Sequence, residues 1–271
     1  MSKSFASDTQ ITHLGRLWLY LFGALVMVFL MFPSVVVIPM SFSDSTYLEF
    51  PPREWSLRWY ENYFGSIEWR EATYVSLQAA VLTMLVATPV GTAAAYGLHV
   101  SGRRMAATMQ TMLLMPLMVP IILIAIGAFY LYARLGLNYT ITGVVVAHTV
   151  LAIPFVLVTV SSGLKTYDMN QEMVARSLGA SRLRAFLTVT LPQIRFSVVA
   201  GALFAFITSL DEVIVAMFVS GGENATLTRR MFNALRDQID PTIAAISTCL
   251  ILVSVISLLL VQWLGKARTP G

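Results

Sequence analysis

Charge is scarce in this sequence of 271 residues. Only 12% of the residues are charged and 57% are hydrophobic, whereas a soluble globular domain usually carries about 25% charged residues. Cysteine is scarcer still: Cys249 is the only one, so no disulfide framework is possible, and we expect it to pack as a small apolar residue. These shortages exclude an ordinary soluble domain and a disulfide-stapled scaffold.

Six long apolar runs account for the low charge. Five contain no Asp, Glu, Lys or Arg, and they cover 17–43, 72–102, 105–133, 135–164 and 241–265. A sixth run, 196–222, is interrupted only by the adjacent pair Asp211 and Glu212. Each run is long enough for a helix that crosses about 30 Å of hydrocarbon. The sequence therefore predicts an all-α membrane protein with six transmembrane helices, over about 17–40, 72–99, 112–133, 143–164, 195–220 and 242–264.

The basic residues predict the orientation of these helices. The first run is longer than a signal-peptide core and no small-x-small site closes it before Pro33, so we expect it to remain as an anchor. With both termini inside, the inner side holds 11 of the 18 Lys and Arg residues, counting a tail at 1–16, loops at 100–112 and 165–194, and also Arg195, Lys266 and Arg268. The outer segments are then 41–71, 134–142 and 221–241. The first of them is rich in Trp and Tyr, which indicates interfacial anchoring or the docking of a partner.

Motifs of catalysis are missing from the sequence. Gly163-Leu164-Lys165-Thr166 lacks the upstream glycine of a phosphate loop, and neither H-E-x-x-H nor G-x-S-x-G occurs. The three histidines, His13, His99 and His148, are too far apart in sequence to suggest a metal site. We therefore expect no catalytic residue, no metal and no cofactor in this chain, and no nucleic-acid partner, since the net charge of +4 reflects membrane orientation.

A transport protein without catalytic motifs needs another source of energy. A carrier driven by an ion gradient usually has ionisable groups in several helices, and here only Asp211 and Glu212 qualify clearly. This favours a permease driven by a separate motor subunit. A gradient-driven secondary carrier and a non-transporting scaffold or receptor are the alternatives. His148, inside an apolar run, could line a pathway or serve as a hydrogen-bonded packing residue.

The segment QEMVARSLGASRLRAFLTVTLPQ, over 171–193, is too polar to cross a membrane. Asp168 and Asn170 can cap a helix that starts near Gln171, and Gly179 should end it. A second helix can start after Ala180 and Ser181, which predicts a helix pair at the membrane surface. Its first helix offers a small contact face to a partner protein, while its arginines remain in water; a basic helix resting on anionic lipid is the alternative.

The same segment resembles the cytoplasmic loop of binding-protein-dependent ABC importer permeases. Their signature is E-A-A, three residues, Gly, nine residues and I-x-L-P; here Gly179 is followed by nine residues and then Val189-Thr190-Leu191-Pro192. The E-A-A end departs, because Met173, Val174 and Ala175 occupy it and Glu172 stands one residue early. The resemblance implies that this loop is the coupling helix that contacts the ATPase, through Glu172, Met173, Ala175, Arg176, Ser177, Leu178, Gly179, Ala180 and Ser181.

The resemblance also implies the remaining architecture and the partners. It predicts a MetI-like ABC importer permease fold with a five-helix core over 70–265, to which the first helix, 17–40, is an addition. The coupling helix lies between the fifth helix and the span before it. The implied partners are a dimer of ATP-binding subunits that holds ATP and Mg, a second permease subunit and a periplasmic solute-binding protein. The implied location is the bacterial inner membrane.

The segment SLDEVIVAMFVSG, from Ser209, resembles the second permease subunit of spermidine/putrescine importers, which carries a Ser-x-Asp-[Asp/Glu]-Val run in its fifth helix. Ser209, Asp211 and Glu212 are therefore candidates for the translocation pathway of a polyamine. Adjacent helical residues diverge by about 100°, so we expect Asp211 rather than Glu212 to face the pathway. The alternatives are that Asp211 pairs with an arginine or caps a helix break, and that the cargo is another small amine, an opine or a phosphonate.

Overall fold

The computed structural model describes residues 16–101, 103–237 and 239–266, with the backbone alone for 103–106 and 260–266. The predicted tail over 1–16 lies outside these residues apart from Arg16. Within them β-pairing is limited to two isolated bridges, and the predicted all-α class is confirmed. The helices are α1 Leu17–Met40, α2 Arg58–Gly65, α3 Ile67–Val100, α4 Arg103–Leu114, α5 Ile121–Leu135, α6 Ile141–Thr166, α7 Asn170–Ser177, α8 Arg182–Ala185, α9 Leu191–Asp211, α10 Ile214–Val219, α11 Leu227–Asp237 and α12 Thr242–Lys266.

Five helical segments in the described residues are long and apolar enough to cross a membrane. They are α1, α3, α6, the stretch Arg182–Asp211 and the part of α12 over Thr242–Leu259. A sixth span results if Ala107–Leu117 and Ile121–Leu135 act together, although they meet at a bend of 90°. Pro116 and Pro120 lie at this bend, where a proline cannot donate the backbone hydrogen bond that continues a helix. The predicted number of six is thus reached only with one sharply bent span.

The span that contains Asp211 differs from the predicted 195–220. It begins at Arg182, inside the predicted loop, because α8, the π turn Phe186–Thr190 and α9 follow one another as one helical stretch of 30 residues. It ends at Asp211, because Glu212 has extended backbone angles (φ −71°, ψ 122°) before α10 starts. The second helix of the predicted surface pair is therefore the start of a span, and Asp211 and Glu212 lie at a helix break.

The chain divides into two compact units. The described part of one comprises 16–61 and 240–251. In this unit α1 has no buried residue, so its apolar side chains are available to lipid or to another chain. The loop after α1 folds back on itself, since the Phe42 ring lies 5.2 Å from the Tyr60 ring and the Ser41 and Tyr60 hydroxyl oxygens are 2.7 Å apart. Part of the aromatic outer segment therefore packs internally.

The other unit comprises 62–239 and 252–266, and its core is formed by α3, α6 and α9. Small residues let these helices approach closely, as is common in membranes. A Cβ added at Gly91 of α3 would lie 2.7 Å from the Cβ of Val156 on α6, and one at Gly201 of α9 would lie 3.3 Å from the Val156 Cα. Along α3 the contact continues through fully or almost fully buried alanines, which are Ala79, Ala80, Ala87 and Ala95. The α3–α6–α9 core positions both ends of α9, where the candidate site residues lie.

Candidate functional site

The predicted coupling segment forms a short helix with defined ends. The Asp168 carboxylate accepts a hydrogen bond from the Asn170 N–H at 3.0 Å before α7 begins. After α7, Gly179 has a φ of 94°, and its N–H and that of Ala180 donate to the carbonyls of Arg176 and Ala175 at 3.0 and 3.1 Å. This pair of bonds is a Schellman motif, in which glycine is favoured because it adopts positive φ without strain. Gly179 therefore ends α7, as its place in the sequence predicts.

Apolar side chains on α7 and just after it are exposed, although this segment is among the most polar of the chain. Met173 is 53% exposed, Val174 59% and Leu178 83%. The other predicted contact residues are exposed or half-buried: Ala175, Arg176, Ser177, Gly179, Ala180 and Ser181. We call the exposed side chains of 173–178 the α7 face. Its apolar residues, rimmed by charge, have the character of a protein-docking surface.

Glu172 is the exception among the predicted contact residues, because its side chain is turned into the protein. Its relative exposure is 1%. The Tyr96 hydroxyl donates to one carboxylate oxygen at 2.5 Å, and the Thr190 hydroxyl donates to the other at 2.5 Å. The surface that α7 offers to another chain therefore excludes Glu172. Sequence reasoning missed Tyr96 and Thr190, since nothing in the chain order connects three such distant positions.

A buried polar cluster lies near the other end of α9. His148 of α6 is 1% exposed, and its Nδ1 lies 2.8 Å from the Ser209 hydroxyl, which in turn donates to the Thr83 hydroxyl of α3 at 3.4 Å. Ser209 is itself 3% exposed. His148 therefore has the hydrogen-bonded packing role that was one of its two predicted alternatives, and Ser209 belongs to the packing of the three core helices rather than to an open surface.

Glu212 caps the short helix α10. Its two carboxylate oxygens accept the backbone N–H groups of Val215 and Ala216, each at 2.8 Å, and its backbone carbonyl accepts the Thr228 hydroxyl at 2.7 Å. One carboxylate oxygen lies 3.6 Å from Nε2 of His148, beyond hydrogen-bond range. The side chain is 4% exposed. This is the capping role that we considered for Asp211, and it is filled by the neighbouring residue.

Asp211 faces a cavity of about 600 Å³. Its side chain is exposed, and within the described residues its carboxylate has no hydrogen-bond or ion-pair partner. The arginine pairing considered for it is therefore not seen there. The rest of the wall is mostly apolar; its other polar residues are Thr208 and Glu212, and the Glu212 carboxylate is already held by backbone N–H groups. The lining residues come from the bend before α5, from α6, from α9 and from α10, and they are Pro116, Leu117, Val119, Ile121, Leu151, Phe155, Ile207, Thr208, Asp211, Glu212, Val213 and Ile214.

Two arginines in the last outer segment, Arg229 and Arg230, oppose the predicted charge asymmetry. Arg230 forms an ion pair with Glu68, and its guanidinium lies 5.5 Å from the centre of the Trp69 ring. The Arg229 guanidinium lies 5.9 Å from the centre of the Tyr139 ring. Arg230 is thus engaged with side chains at the start of α3, and Arg229 with a ring in the loop between α5 and α6.

Comparison with known proteins decides the family. Residues 87–269 match the family described as the binding-protein-dependent transport system inner membrane component. The chain belongs to this family. It is 28% identical over 258 residues to the spermidine/putrescine transport system permease protein PotC of Escherichia coli (strain K12), covering 95% of this chain and 97% of PotC. It is 31% identical over 247 residues to the putrescine transport system permease protein PotI of the same strain, covering 89% of this chain and 87% of PotI.

The fold of this permease is also that of a solved transporter. A chain in the crystal structure of a bacterial ABC transporter involved in the import of the acidic polysaccharide alginate superimposes with a TM-score of 0.67 at 14% identity, covering 96% of this permease and 99% of that chain. The resemblance inferred from the Gly179 signature is thereby confirmed, and so are the inner-membrane location and the importer-permease fold. The fold does not decide the cargo, because the two relatives and the alginate transporter are named for substrates of opposite charge.

Proposed function

We propose that this permease forms one half of the translocation pathway of an ATP-driven importer. A second permease subunit completes the pathway, a dimer of ATP-binding subunits binds ATP with Mg and hydrolyses the ATP, and a periplasmic solute-binding protein delivers the cargo. The α7 face supports this assembly, because Met173, Val174 and Leu178 are exposed on a segment that is otherwise polar. Both termini lie in the cytoplasm in this assignment, on the same side as the α7 face.

We further propose that the cargo is a polyamine such as putrescine or spermidine. The observation that carries this proposal is the Asp211 carboxylate, which is unpartnered among the described residues and exposed on the wall of a mostly apolar cavity of about 600 Å³. A charge in such a place is costly unless water, a partner charge or a substrate compensates it. An alkylammonium ion supplies the positive charge for Asp211 and a methylene chain for the apolar wall.

Glu212 and Ser209, the other two pathway candidates, already use their polar side-chain atoms in hydrogen bonds within the protein. The Glu212 carboxylate already accepts two backbone N–H groups, and the Ser209 hydroxyl is held between His148 and Thr83. This chain therefore brings one available carboxylate to the cavity. The single negative charge favours cationic amines over opines, which also carry carboxylates, and disfavours phosphonates, which Asp211 would repel.

The test is uptake by the assembled importer that carries Asp211→Asn. Uptake of putrescine and spermidine should fall by roughly tenfold, since losing about 1.4 kcal/mol of charge compensation in passage corresponds to that factor. Asp237→Asn is the matched control, because the Asp237 side chain is 60% exposed on α11 and, among the described residues, pairs with its neighbour Arg236, an interaction worth little at a surface. Wild-type uptake by the Asp211→Asn complex, assembled to normal levels, would remove Asp211 from the pathway.

The energy source is tested separately. Uptake should stop when ATP is depleted and should continue when an ionophore collapses the ion gradients. The opposite pattern would make the chain a secondary carrier. Comparing putrescine, spermidine, an opine and a phosphonate as stimulators of ATP hydrolysis by the complex then tests the cargo; a phosphonate as the best stimulator would contradict the assignment of Asp211.

A further inference from the structure

Glu172 holds together three elements that are far apart in the sequence. It lies on α7, its two hydroxyl partners lie on α3 and at the start of α9, and its side chain is shut off from solvent. A carboxylate accepts hydrogen bonds more strongly than a neutral oxygen does, and both of its oxygens are used here. The short helix that carries the α7 face is thereby fixed to two membrane spans.

Thr190 is placed where this attachment has the greatest effect. It is the last residue of the π turn Phe186–Thr190, which interrupts the regular helix between α8 and α9. Such turns are departures from the α-helical ladder and are frequent at functional positions. The Tyr96 ring packs on Phe186 of the same turn, with 4.6 Å between the ring centres. Glu172 and Tyr96 together therefore bridge the turn from outside.

The stretch from Arg182 to Asp211 connects this attachment to the cavity. Its 30 residues correspond to about 45 Å of helix at 1.5 Å per residue. A displacement of α7 that is passed to Thr190 acts on a stiff helix whose far end carries Asp211. Without the bridge, the π turn could bend and absorb the displacement locally.

We infer that Glu172 is a positioning residue that transmits movement: through Tyr96 and Thr190 it makes α7 and α9 move as one body. This inference rests on the proposed function, because it assigns to Glu172 the transfer of the ATPase's movement rather than a contact with the ATPase. Its position one residue before the family's glutamate fits this role, since the side chain points away from the α7 face and into the protein.

The test removes one hydroxyl from the bridge and compares it with a matched hydroxyl outside it. Thr190→Val deletes a fully buried donor to Glu172. Thr188→Val deletes an exposed hydroxyl in the same turn, which within the described part of the chain donates to the Arg184 carbonyl at 2.7 Å. Tyr96→Phe and Glu172→Gln are the companion variants. Two quantities are measured on the full importer: hydrogen exchange of the amides over 170–177, and the amount of putrescine transported per ATP hydrolysed.

Thr190→Val, Tyr96→Phe and Glu172→Gln should each speed the exchange of the α7 amides by about tenfold, as expected from the loss of a hydrogen bond to a charged group in a locally opening segment. They should also lower the putrescine carried per ATP severalfold while the KM for putrescine and the bound ATPase stay unchanged. Thr188→Val should match the wild type in both. The inference is overturned if Thr190→Val leaves both amide exchange and putrescine per ATP at wild-type values. It is also overturned if Thr188→Val changes these two quantities as much as Thr190→Val does.

The failure of this inference is distinguishable from the failure of the proposed function. Wild-type uptake that ignores ATP depletion contradicts the proposed function directly. Amide exchange of α7 does not depend on the energy source of transport. Faster exchange in the bridge variants therefore supports the attachment of α7 to α3 and α9 even if uptake ignores ATP depletion. Unchanged exchange contradicts this attachment even if uptake is driven by ATP.

Discussion

Two buried glutamates contact the helical stretch Arg182–Asp211 or adjoin it: Glu172 accepts a hydrogen bond from Thr190 in its first part, and Glu212 directly follows its last residue. Glu212 accepts two backbone N–H groups from the helix that starts directly after it. Glu172 accepts two side-chain hydroxyls, one from a residue 76 positions away and one from a residue 18 positions away. The same side chain, equally shielded, therefore serves a local purpose at position 212 and a long-range purpose at position 172.

The different hydrogen-bond partners of Glu212 and Glu172 give the two glutamates different structural roles. Glu212 fixes the helix break next to Asp211, which leaves Asp211 free to face the cavity. Glu172 fixes nothing within its own helix, since its bonds reach α3 and the π turn. Near Asp211, the hydrogen bonds of Glu212 are therefore local and leave one carboxylate available. Near Thr190, the hydrogen bonds of Glu172 connect separate elements of the fold.

The largest effect on stability is expected for Glu212→Ala. It leaves two buried backbone N–H groups of α10 without an acceptor, which costs about 2–4 kcal/mol in the free energy of unfolding. Glu172→Ala should cost less, about 1–2 kcal/mol, because its freed partners are hydroxyls that can rotate towards other acceptors. Thermal unfolding of both variants in the same lipid nanodiscs measures the difference.

Transport should show the reverse order. Glu172→Ala should lower the putrescine carried per ATP more than Glu212→Gln, which keeps one acceptor for α10. The distinction between a local cap and a long-range connection would be contradicted by two results together. These are equal stability losses in Glu172→Ala and Glu212→Ala, and equal transport losses in Glu172→Ala and Glu212→Gln.

An effect no larger than that of Glu172→Ala is expected for Gly179→Ala, which tests the end of α7. An added Cβ meets no atom within 4 Å, so the cost arises from the φ of 94° alone, about 1–2 kcal/mol for a residue with a Cβ in this region. Co-purification of the ATPase with the permease should fall. Gly127→Ala is the matched control, because it also adds a Cβ into open space but within a regular helix. Wild-type co-purification of the Gly179→Ala variant would show that the Schellman end is not needed for docking.

The fold could be predicted from the sequence largely because the bilayer imposes simple rules. Charge-free runs locate the spans, and Gly179 with Asp168 locates the ends of α7. A helix break near Asp211 was only one of the alternatives considered, and Glu212 was not considered for it, since glutamate is not among the preferred capping residues Ser, Thr, Asp and Asn. A helix break inside an apolar run cannot be predicted from hydropathy, because hydropathy carries no information on backbone angles.

The candidate site was predictable only in part, for a physical reason. The prediction that Asp211 and Glu212 diverge assumed one continuous helix, whereas the helix ends at Asp211 and both residues line the cavity. The two carboxylates differ because backbone N–H groups already hold that of Glu212. The inward position of Glu172 could not be predicted, because it depends on Tyr96 and Thr190, which approach it only through the packing of α3 against α9. Resemblance to the family placed Glu172 on the contact surface, and the structure instead turns it into the protein.

The central claim is that ATP-driven movement at α7 is linked to the passage of an amine past Asp211. Its most direct test is putrescine uptake into ATP-loaded proteoliposomes that contain this permease, its partner permease and the ATPase, with the binding protein outside. We predict uptake by the wild type that requires the ATPase and falls by roughly tenfold in Asp211→Asn. Uptake that persists when the ATPase is omitted would contradict the account.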